Sequence, residues 1–240
     1  MISFIVPAHN EEVLIGRTLA AMHESARKVG QAYEIVVAND ASTDRTGEIA
    51  MEQGARVVSV DRRQIAATRN AGAAAGTGEI LIFVDADTMV TEPALTSALR
   101  ELKAGAVGGG ASVRFDGGPL PLYARILEWV LPPVLQLIKL APGCFIFCTR
   151  DAYQATGGFS ESLNAGEDIA FCQALKKVGR FVIPKPKVLT SPRKLNVVGF
   201  WEVIGLMLTI AVRGSRYESK WVVDILYGRR AQACRKPVKG

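Results

Sequence analysis

The sequence predicts an α/β protein with a mostly parallel central sheet that helices cover on both faces. The first 90 residues alternate four times between short apolar runs and longer helical patterns, as parallel sheets with crossover helices do. In addition, residues 80–84 are all apolar, with no polar alternation. An unbroken apolar run is typical of a central strand that is buried on both faces.

The elements of the first half follow from apolar runs and their terminating residues. Asn10 is expected to cap the first helix, with Glu11 and Glu12 in its first turn, and Gly30 is expected to end it. The predicted strands are the ranges 2–6, 33–38, 56–60 and 80–84. The first predicted helix ends at about residue 29, and three further helices are predicted over 45–53, 65–75 and 92–103.

The second half is predicted with the same criteria, except for one broken segment. Residues 117–142 contain five prolines among apolar side chains, which is too broken for one helix. A mobile lid, an apolar acceptor groove, a membrane-touching element and a helical excursion packed on the core all remain open. The other expected elements are strands in 106–115, 143–149, 181–183 and 188–190, the last two at sheet edges, a short helix after 150 and a helix over 167–178.

Charge is distributed unevenly along the chain. Residues 1–175 hold 14 basic and 20 acidic residues, whereas residues 176–240 hold 15 basic and 3 acidic ones. We therefore expect a domain over 1–190 and a basic amphipathic helical tail over 191–240. Such a tail favours an anionic partner, namely a membrane surface, a phosphate group or nucleic acid, or else it only aids solubility. An oligomer contact through this tail also fits the pattern.

Several other classes of protein and site are disfavoured. No Cys-x-x-Cys pair occurs and the chain has only two histidines, so neither a zinc site nor a disulfide framework is expected. The first residues lack a basic stretch followed by a long apolar run, and no uninterrupted apolar run reaches 18 residues. The expected location is therefore cytoplasmic.

Polar clusters follow three of the predicted strands, at residues 7–12, 39–44 and 85–87. The carboxyl ends of parallel strands lie along one edge of a sheet, so these clusters should meet there. Asp85 and Asp87 are costly together unless a cation joins them, and their oxygens suit Mg²⁺ or Mn²⁺. The simpler alternative is a solvated turn after a strand.

Glu167 and Asp168 form a second acidic pair, at the start of a predicted helix. A carboxylate at a helix N-terminus is expected to have a lowered pKa. The alternative interpretation is that both acids only help the helix to begin.

Together these motifs resemble the inverting glycosyltransferases of family 2, which use nucleotide sugars and have the glycosyltransferase-A fold. The resemblance covers roughly residues 2–190. It rests on the order and spacing of five motifs: PAHNEE at 7–12, NDASTD at 39–44, RNAG at 69–72, DAD at 85–87, and GGF at 157–159 followed by GED at 166–168.

The resemblance implies a role for each matching residue. Asp168 is the expected general base that takes the proton of the acceptor hydroxyl, and Glu167 orients the acceptor or its loop. Asp87 is the expected ligand of a divalent metal, Mn²⁺ or Mg²⁺, that bridges the donor diphosphate. Asp40 is expected at the nucleobase, Arg69 near the nucleotide and Asp85 at the ribose or sugar. The complete expected donor-binding set is Pro7, Ala8, Glu11, Asp40, Arg69, Asp85 and Ala86.

The implied substrates are a UDP- or GDP-sugar and an acceptor that the sequence leaves open, with a lipid-linked acceptor at the inner face of the membrane as one expectation. Nucleic acid is not among the expected partners. Processive members of the family carry a Gln-x-x-Arg-Trp motif and membrane spans, whereas neither is found here, which favours transfer of one sugar.

One departure from the family pattern concerns the helix after residues 167–168. Many relatives have a second acid and an arginine there, where this chain has Ala170, Gln173 and Ala174. Arg193 or Lys194 is the candidate for the missing cation near the diphosphate.

If Arg69 does not contact the nucleotide, it is expected to be an ordinary charge on a helix surface.

The alternatives to a glycosyltransferase are a nucleotidyltransferase and an inert nucleotide-sugar-binding module. A nucleotidyltransferase usually needs a phosphate loop with Gly and Lys near its first strand, and residues 7–12 contain neither. A dinucleotide oxidoreductase is disfavoured because no Gly-x-Gly-x-x-Gly follows a strand.

Overall fold

The computed structural model of the chain describes residues 1–116, 141, 143–163 and 166–194. The strands are β1 (Ile2–Ala8), β2 (Tyr33–Asp40), β3 (Arg56–Val60), β4 (Ile80–Val84), β5 (Thr88–Met89), β6 (Gly108–Gly110), β7 (Ser112–Phe115), β8 (Phe145–Thr149), β9 (Phe181–Val182) and β10 (Lys187–Thr190). The helices are α1 (Ile15–Val29), α2 (Thr46–Glu52), α3 (Ile65–Ala75), α4 (Glu92–Lys103), α5 (Arg150–Thr156) and α6 (Glu167–Val178), followed by a 3₁₀ turn at Pro192–Lys194.

A seven-stranded sheet forms the centre of the described structure, in the order β3-β2-β1-β4-β8-β6-β9. The strands β3, β2, β1 and β4 are parallel, and β8 runs antiparallel to both β4 and β6. A three-stranded sheet, β5-β10-β7, lies beyond the carboxyl end of β4. The predicted α/β class with a mostly parallel sheet is therefore confirmed, and β4 is an interior strand as expected.

Two apolar cores cover the two faces of the large sheet. Phe4 and Ile82 belong to the core that contains the buried face of α1 and α4. Their neighbours Ile5 and Phe83 belong to the opposite core, with Ala66 of α3 and residues of α6. Successive residues of a strand point to opposite faces, so an all-apolar strand such as β4 serves both cores.

The sequence prediction places the start of α1 incorrectly. Asn10 has a φ of 54° and does not cap the helix, which begins at Ile15 with Leu14 before it. Glu11 and Glu12 consequently lie in the preceding turn. The Asn10 Oδ1 atom instead accepts a hydrogen bond from the Thr43 amide at 2.8 Å, so this polar side chain serves a neighbouring loop. Gly30 ends α1 with a φ of 67°, as predicted.

Several strands differ from the prediction in extent or position. β1 continues through Pro7. The pairing of β1 with β4 ends at Ile5, so β4 does not need a hydrogen bond from the N–H group that proline lacks. The predicted strand over 106–115 divides into β6 and β7, which belong to different sheets. β9 lies at a sheet edge as predicted, whereas β10 lies between β5 and β7 and is not an edge strand.

The predictions for residues 117–142 fall outside the described residues, apart from Ala141. The predictions for the tail fall outside them from residue 195 onwards. The division into 1–190 and 191–240 stays a prediction. Among the residues that the structure describes, no helix combines the length and the hydropathy that a membrane crossing needs.

Candidate active site

Three loops meet at the carboxyl edge of the parallel strands. The loop after β1 is joined to the loop after β2, because the Asn10 amide donates to Ser42 Oγ at 3.0 Å and the Glu11 amide donates to Thr46 Oγ1 at 2.7 Å. The third loop, after β4, carries Asp87, which shares the guanidinium of Arg193 with Glu11. The predicted convergence of the three polar clusters is confirmed.

Asp40 ends β2 and is 5% exposed. Its Oδ1 atom accepts hydrogen bonds from the amides of Arg62 and Arg63 at 2.7 and 3.0 Å, and its Oδ2 atom accepts the Thr68 hydroxyl at 2.8 Å. The carboxylate therefore fixes the loop between β3 and α3. Its expected contact with the nucleobase stays a prediction, and a base would have to approach a carboxylate that already accepts three hydrogen bonds.

Arg69 projects from α3 into the protein and is 3% exposed. Its Nη1 atom lies 2.8 Å from Glu167 Oε1, and its Nη2 atom lies 3.1 Å from both Asp85 Oδ1 and the Gly143 carbonyl oxygen. The guanidinium also stands 5.1 Å from the centre of the Phe159 ring. The alternative interpretation as a surface charge is therefore wrong. Arg69 joins the end of β4 to the start of α6.

Asp168 lies in the first turn of α6, next to the buried Glu167. Removal from water, aided by the negative charge of Glu167, raises the pKa of the Asp168 carboxyl to about 6. Arg69 and the hydrogen bond from the Ile169 amide act in the opposite direction. The expected lowering of this pKa at a helix N-terminus is therefore wrong, because burial and like charge outweigh the helix.

Gly143 lies against the Asp168 carboxylate. A Cβ atom at position 143 would overlap Asp168 Oδ2 and lie 3.1 Å from its Cβ and Cγ atoms. Any larger residue at this position would therefore displace the carboxylate. The absence of a side chain lets the backbone before β8 approach the acid, and the Gly143 carbonyl is at the same time a partner of Arg69.

Asp87 is the most buried carboxylate of the loop after β4, with a side chain that is 2% exposed. Arg193 Nη2 lies 3.7 Å from Asp87 Oδ2 and 2.5 Å from Glu11 Oε2. Arg193 thus lies beside Glu11 and Asp87, and its expected position near the diphosphate stays a prediction. Ala86 is buried, and its carbonyl accepts the Thr18 hydroxyl at 2.8 Å.

The chain itself offers a small donor set for a metal. The described residues contain no group of three or more His, Cys, Asp or Glu side chains that could hold an ion. Asp87 nevertheless fits Mg²⁺ or Mn²⁺, since these ions are often bound through one or two carboxylates together with substrate phosphates. Pro7 and Ala8, the other expected donor-binding residues, are buried at the end of β1.

Asn70 belongs to the RNAG motif, but its chemistry in the sequence predicts no particular role. Its Nδ2 atom donates to the Phe159 carbonyl and to Glu161 Oε1, both at 2.9 Å. Its Oδ1 atom accepts from the Phe159 amide at 3.0 Å and from the Tyr153 hydroxyl at 2.8 Å. Gln64, also near α3, donates to the Glu161 carbonyl. These side chains attach the segment 157–163, which leads towards Asp168, to α3.

The mostly parallel sheet with an acidic carboxyl edge has the glycosyltransferase-A architecture. The chain belongs to glycosyl transferase family 2, whose model matches residues 3–163. The predicted family is thereby confirmed.

Two curated relatives illustrate the family membership. The chain is 32% identical over 239 residues to the "Probable glycosyltransferase YdaM" of Bacillus subtilis, which covers 90% of this chain and 55% of that protein. It is 34% identical over 100 residues to an undecaprenyl-phosphate 4-deoxy-4-formamido-L-arabinose transferase of Pectobacterium atrosepticum. The aligned region covers 36% of this chain and 28% of the relative. The chain thus spans about half of the first relative and less of the second.

Solved structures support the same fold. The mannosyltransferase PcManGT from Pyrobaculum calidifontis, in complex with GDP-Man and Mn²⁺, matches with a TM-score of 0.63 at 20% identity, over 86% of this chain and 64% of that one. The glucosyl-3-phosphoglycerate synthase of Mycobacterium tuberculosis, in complex with Mn²⁺, UDP and glucosyl-3-phosphoglycerate, matches with a TM-score of 0.57 at 23% identity, over 100% and 82% of the two chains.

Proposed function

We propose that this chain transfers one sugar from a nucleotide-diphosphate sugar to an acceptor hydroxyl, with inversion at the anomeric carbon. The observation that carries the proposal is the buried contact of Arg69 with both Glu167, next to Asp168, and Asp85 at the end of β4. In addition, burial raises the pKa of Asp168 to about 6. A carboxylate with a pKa near the working pH is both ionised and basic enough to accept a proton.

In the proposed reaction, Asp168 accepts the proton of the acceptor hydroxyl as its oxygen attacks the anomeric carbon. The new C–O bond forms on the face opposite the diphosphate, and the bond from the anomeric carbon to the phosphate oxygen breaks in the same step. The nucleoside diphosphate leaves with the electron pair. Glu167 is held by Arg69 and therefore keeps the start of α6, and with it Asp168, in position.

The leaving diphosphate requires compensation of its negative charge. Asp87 is the proposed ligand of Mn²⁺ or Mg²⁺, and when bound the ion supplies electrostatic stabilisation of the diphosphate oxygens. The Mn²⁺ named in the two similar solved structures supports the proposed use of a divalent metal. Glu11, Asp85, Ala86 and the end of β1 are the proposed contacts for the rest of the donor.

The experiment that tests the proposal is a transfer and hydrolysis assay with UDP- and GDP-sugars, with and without Mn²⁺. Proton NMR of the product gives the configuration at the anomeric carbon. Release of nucleoside diphosphate by the wild-type protein and its loss in Asp168→Asn support the proposal. Retention of configuration would contradict the single displacement, whereas nucleotide binding with no turnover over a broad acceptor panel would favour an inert binding module.

For the acceptor we propose a lipid-linked molecule at the inner face of the membrane that presents a free hydroxyl. The undecaprenyl-phosphate transferase among the relatives supports this choice, as does the excess of basic residues in 176–240, 15 against 3 acidic. A polyprenyl-linked saccharide with free hydroxyls and 3-phosphoglycerate, supplied as competing acceptors, distinguish a lipid-linked acceptor from a small phosphorylated acid. Co-sedimentation with anionic vesicles checks the proposed membrane contact, and sedimentation velocity checks whether the chain forms an oligomer.

A further inference from the structure

Arg193 lies across the two carboxylates that face the proposed donor diphosphate. Its Nη2 atom is 2.5 Å from Glu11 Oε2 and 3.7 Å from Asp87 Oδ2. The Arg193 side chain is 20% exposed, against 17% for Glu11 and 2% for Asp87. A guanidinium therefore occupies the approach to the carboxylate that we assign to the metal.

The backbone that carries Arg193 is fixed to the same loop. The Ser191 amide donates to the Asp87 carbonyl at 3.1 Å, and the Arg193 amide donates to Ser191 Oγ at 3.3 Å. One residue earlier, the hydroxyls of Thr190 and Thr88 lie 2.9 Å apart. Arg193 can therefore change its partner by rotation of its long side chain, without movement of β10 or of the loop after β4.

We propose that Arg193 is a resident cation of the site that makes metal binding and nucleotide binding depend on each other. The inference rests on the function proposed above and adds a role for one residue. In the protein without ligand, the guanidinium partly neutralises Asp87 and Glu11. A divalent cation at Asp87 would then lie close to the positive charge of Arg193, and two like charges a few ångströms apart repel strongly in a partly buried site.

A nucleoside diphosphate removes this conflict. Its oxygens accept two parallel hydrogen bonds from a guanidinium and at the same time bind a metal. Arg193 can then turn from Glu11 and Asp87 to the diphosphate, and Asp87 becomes available to the metal. The two ligands therefore favour each other, and thermodynamic linkage requires that each raises the affinity of the other by the same factor.

The test measures Mn²⁺ affinity by titration calorimetry or by paramagnetic resonance, first alone and then with saturating UDP or GDP. We expect the wild-type protein to bind Mn²⁺ at least about tenfold more tightly when a nucleotide is present, within the usual range of coupling between sites. In Arg193→Gln, Mn²⁺ alone should bind more tightly than in the wild type, the nucleotide should bind more weakly, and the coupling factor should fall several-fold. Arg193→Lys keeps the charge without the paired donors and should retain part of the coupling.

Arg27→Gln is the matched control, because it removes one positive charge at the far end of α1, where Arg27 donates to the His23 carbonyl. It should leave the coupling unchanged. Thermal unfolding establishes that each variant is folded. An unchanged coupling factor in a folded Arg193→Gln protein overturns the inference and leaves the proposed function intact. A wild-type protein that binds neither UDP nor GDP at any Mn²⁺ concentration overturns both.

Discussion

Arg69 Nη1 and Glu167 Oε1 lie 2.8 Å apart in the interior, although 98 residues separate the two side chains in the sequence. Both side chains are 4% exposed, and Arg69 also contacts Asp85. A single guanidinium thus joins the end of β4, which carries the Asp-Ala-Asp motif, to the first turn of α6, which carries the proposed base.

Replacement of Arg69 should destabilise the protein strongly. Arg69→Met leaves the Glu167 carboxylate buried without its cation, and loss of one partner of a buried ion pair costs about 3 to 5 kcal/mol. Chemical denaturation of the wild type and the variant measures the difference. Arg27→Gln, an exposed arginine on α1, is the control and should change stability by less than about 0.5 kcal/mol. A difference below about 1 kcal/mol for Arg69→Met would contradict the importance of this ion pair.

Activity should rise with pH through an apparent pKa of about 6, the value for Asp168. The base must be ionised to accept a proton, so below pH 6 activity should fall roughly tenfold per pH unit. Initial rates from pH 4.5 to 8, at saturating donor, measure the profile. Burial is the main cause of this raised pKa, and Glu167, Arg69 and Asp85 are the charged neighbours that adjust it.

Asp168→Asn should lower the rate by about 10² to 10⁴-fold and remove the acidic limb of the profile. Its binding of the nucleotide should stay close to that of the wild type, because the substitution preserves shape. An acidic limb that persists in the residual activity of Asp168→Asn would assign the titration to a different group.

Asp168 should also make stability depend on pH. Its pKa is raised in the folded protein from 3.8 to about 6, so between these values the folded state binds the proton more tightly than the unfolded state does. The stability contribution of this group is therefore fully present below pH 3.8 and is lost as the pH rises through 6. Urea midpoints of Asp168→Asn and wild type should differ most at pH 7, with the variant more stable, and should converge at low pH. A wild type that is the more stable protein at pH 7 would contradict the raised pKa.

Asp87→Asn should abolish the effect of Mn²⁺ on nucleotide binding. The neutral amide is a much poorer ligand for a hard divalent cation than a carboxylate. Thermal-shift measurements with Mn²⁺ and UDP or GDP should show a clear joint stabilisation of the wild type and little in the variant. Glu24→Gln, at an exposed ion pair with Lys28 on α1, is the control and should keep the joint stabilisation. An undiminished shift in Asp87→Asn would remove this residue from the metal site.

Asn70→Ala should lower the turnover number more than it weakens donor binding. The substitution removes the hydrogen bonds to Phe159, Glu161 and Tyr153 and loosens the segment that leads to Asp168. We expect a loss of about tenfold or more in kcat, since small misplacements of a base are costly. Tyr153→Phe removes only one of these bonds and should lose much less. Equal losses in the two variants would contradict the role of Asn70 as a positioning residue.

Much of the fold could be predicted because local pattern decides it. The bounds of β3, β4, α3, α4 and α6 agree with the prediction, since each lies between clear terminating residues or polar clusters. The start of α1 could not be predicted in this way. Asn10 has the chemistry of a helix cap, but Thr43 and Ser42 on the neighbouring loop compete for its polar groups, and they come from 32 to 33 residues away in the sequence.

The sequence by itself determined the order of strands and helices, the meeting of three polar loops at one sheet edge and the residue types available there. These follow from hydrophobic periodicity and from the direction of parallel strands. Only the tertiary structure decided that Arg69 is buried between Glu167 and Asp85, that Arg193 reaches Glu11 and Asp87, and that the pKa of Asp168 is raised. Ion pairs between distant residues and the removal of a carboxylate from water depend on packing in three dimensions, which no local spacing in the sequence specifies.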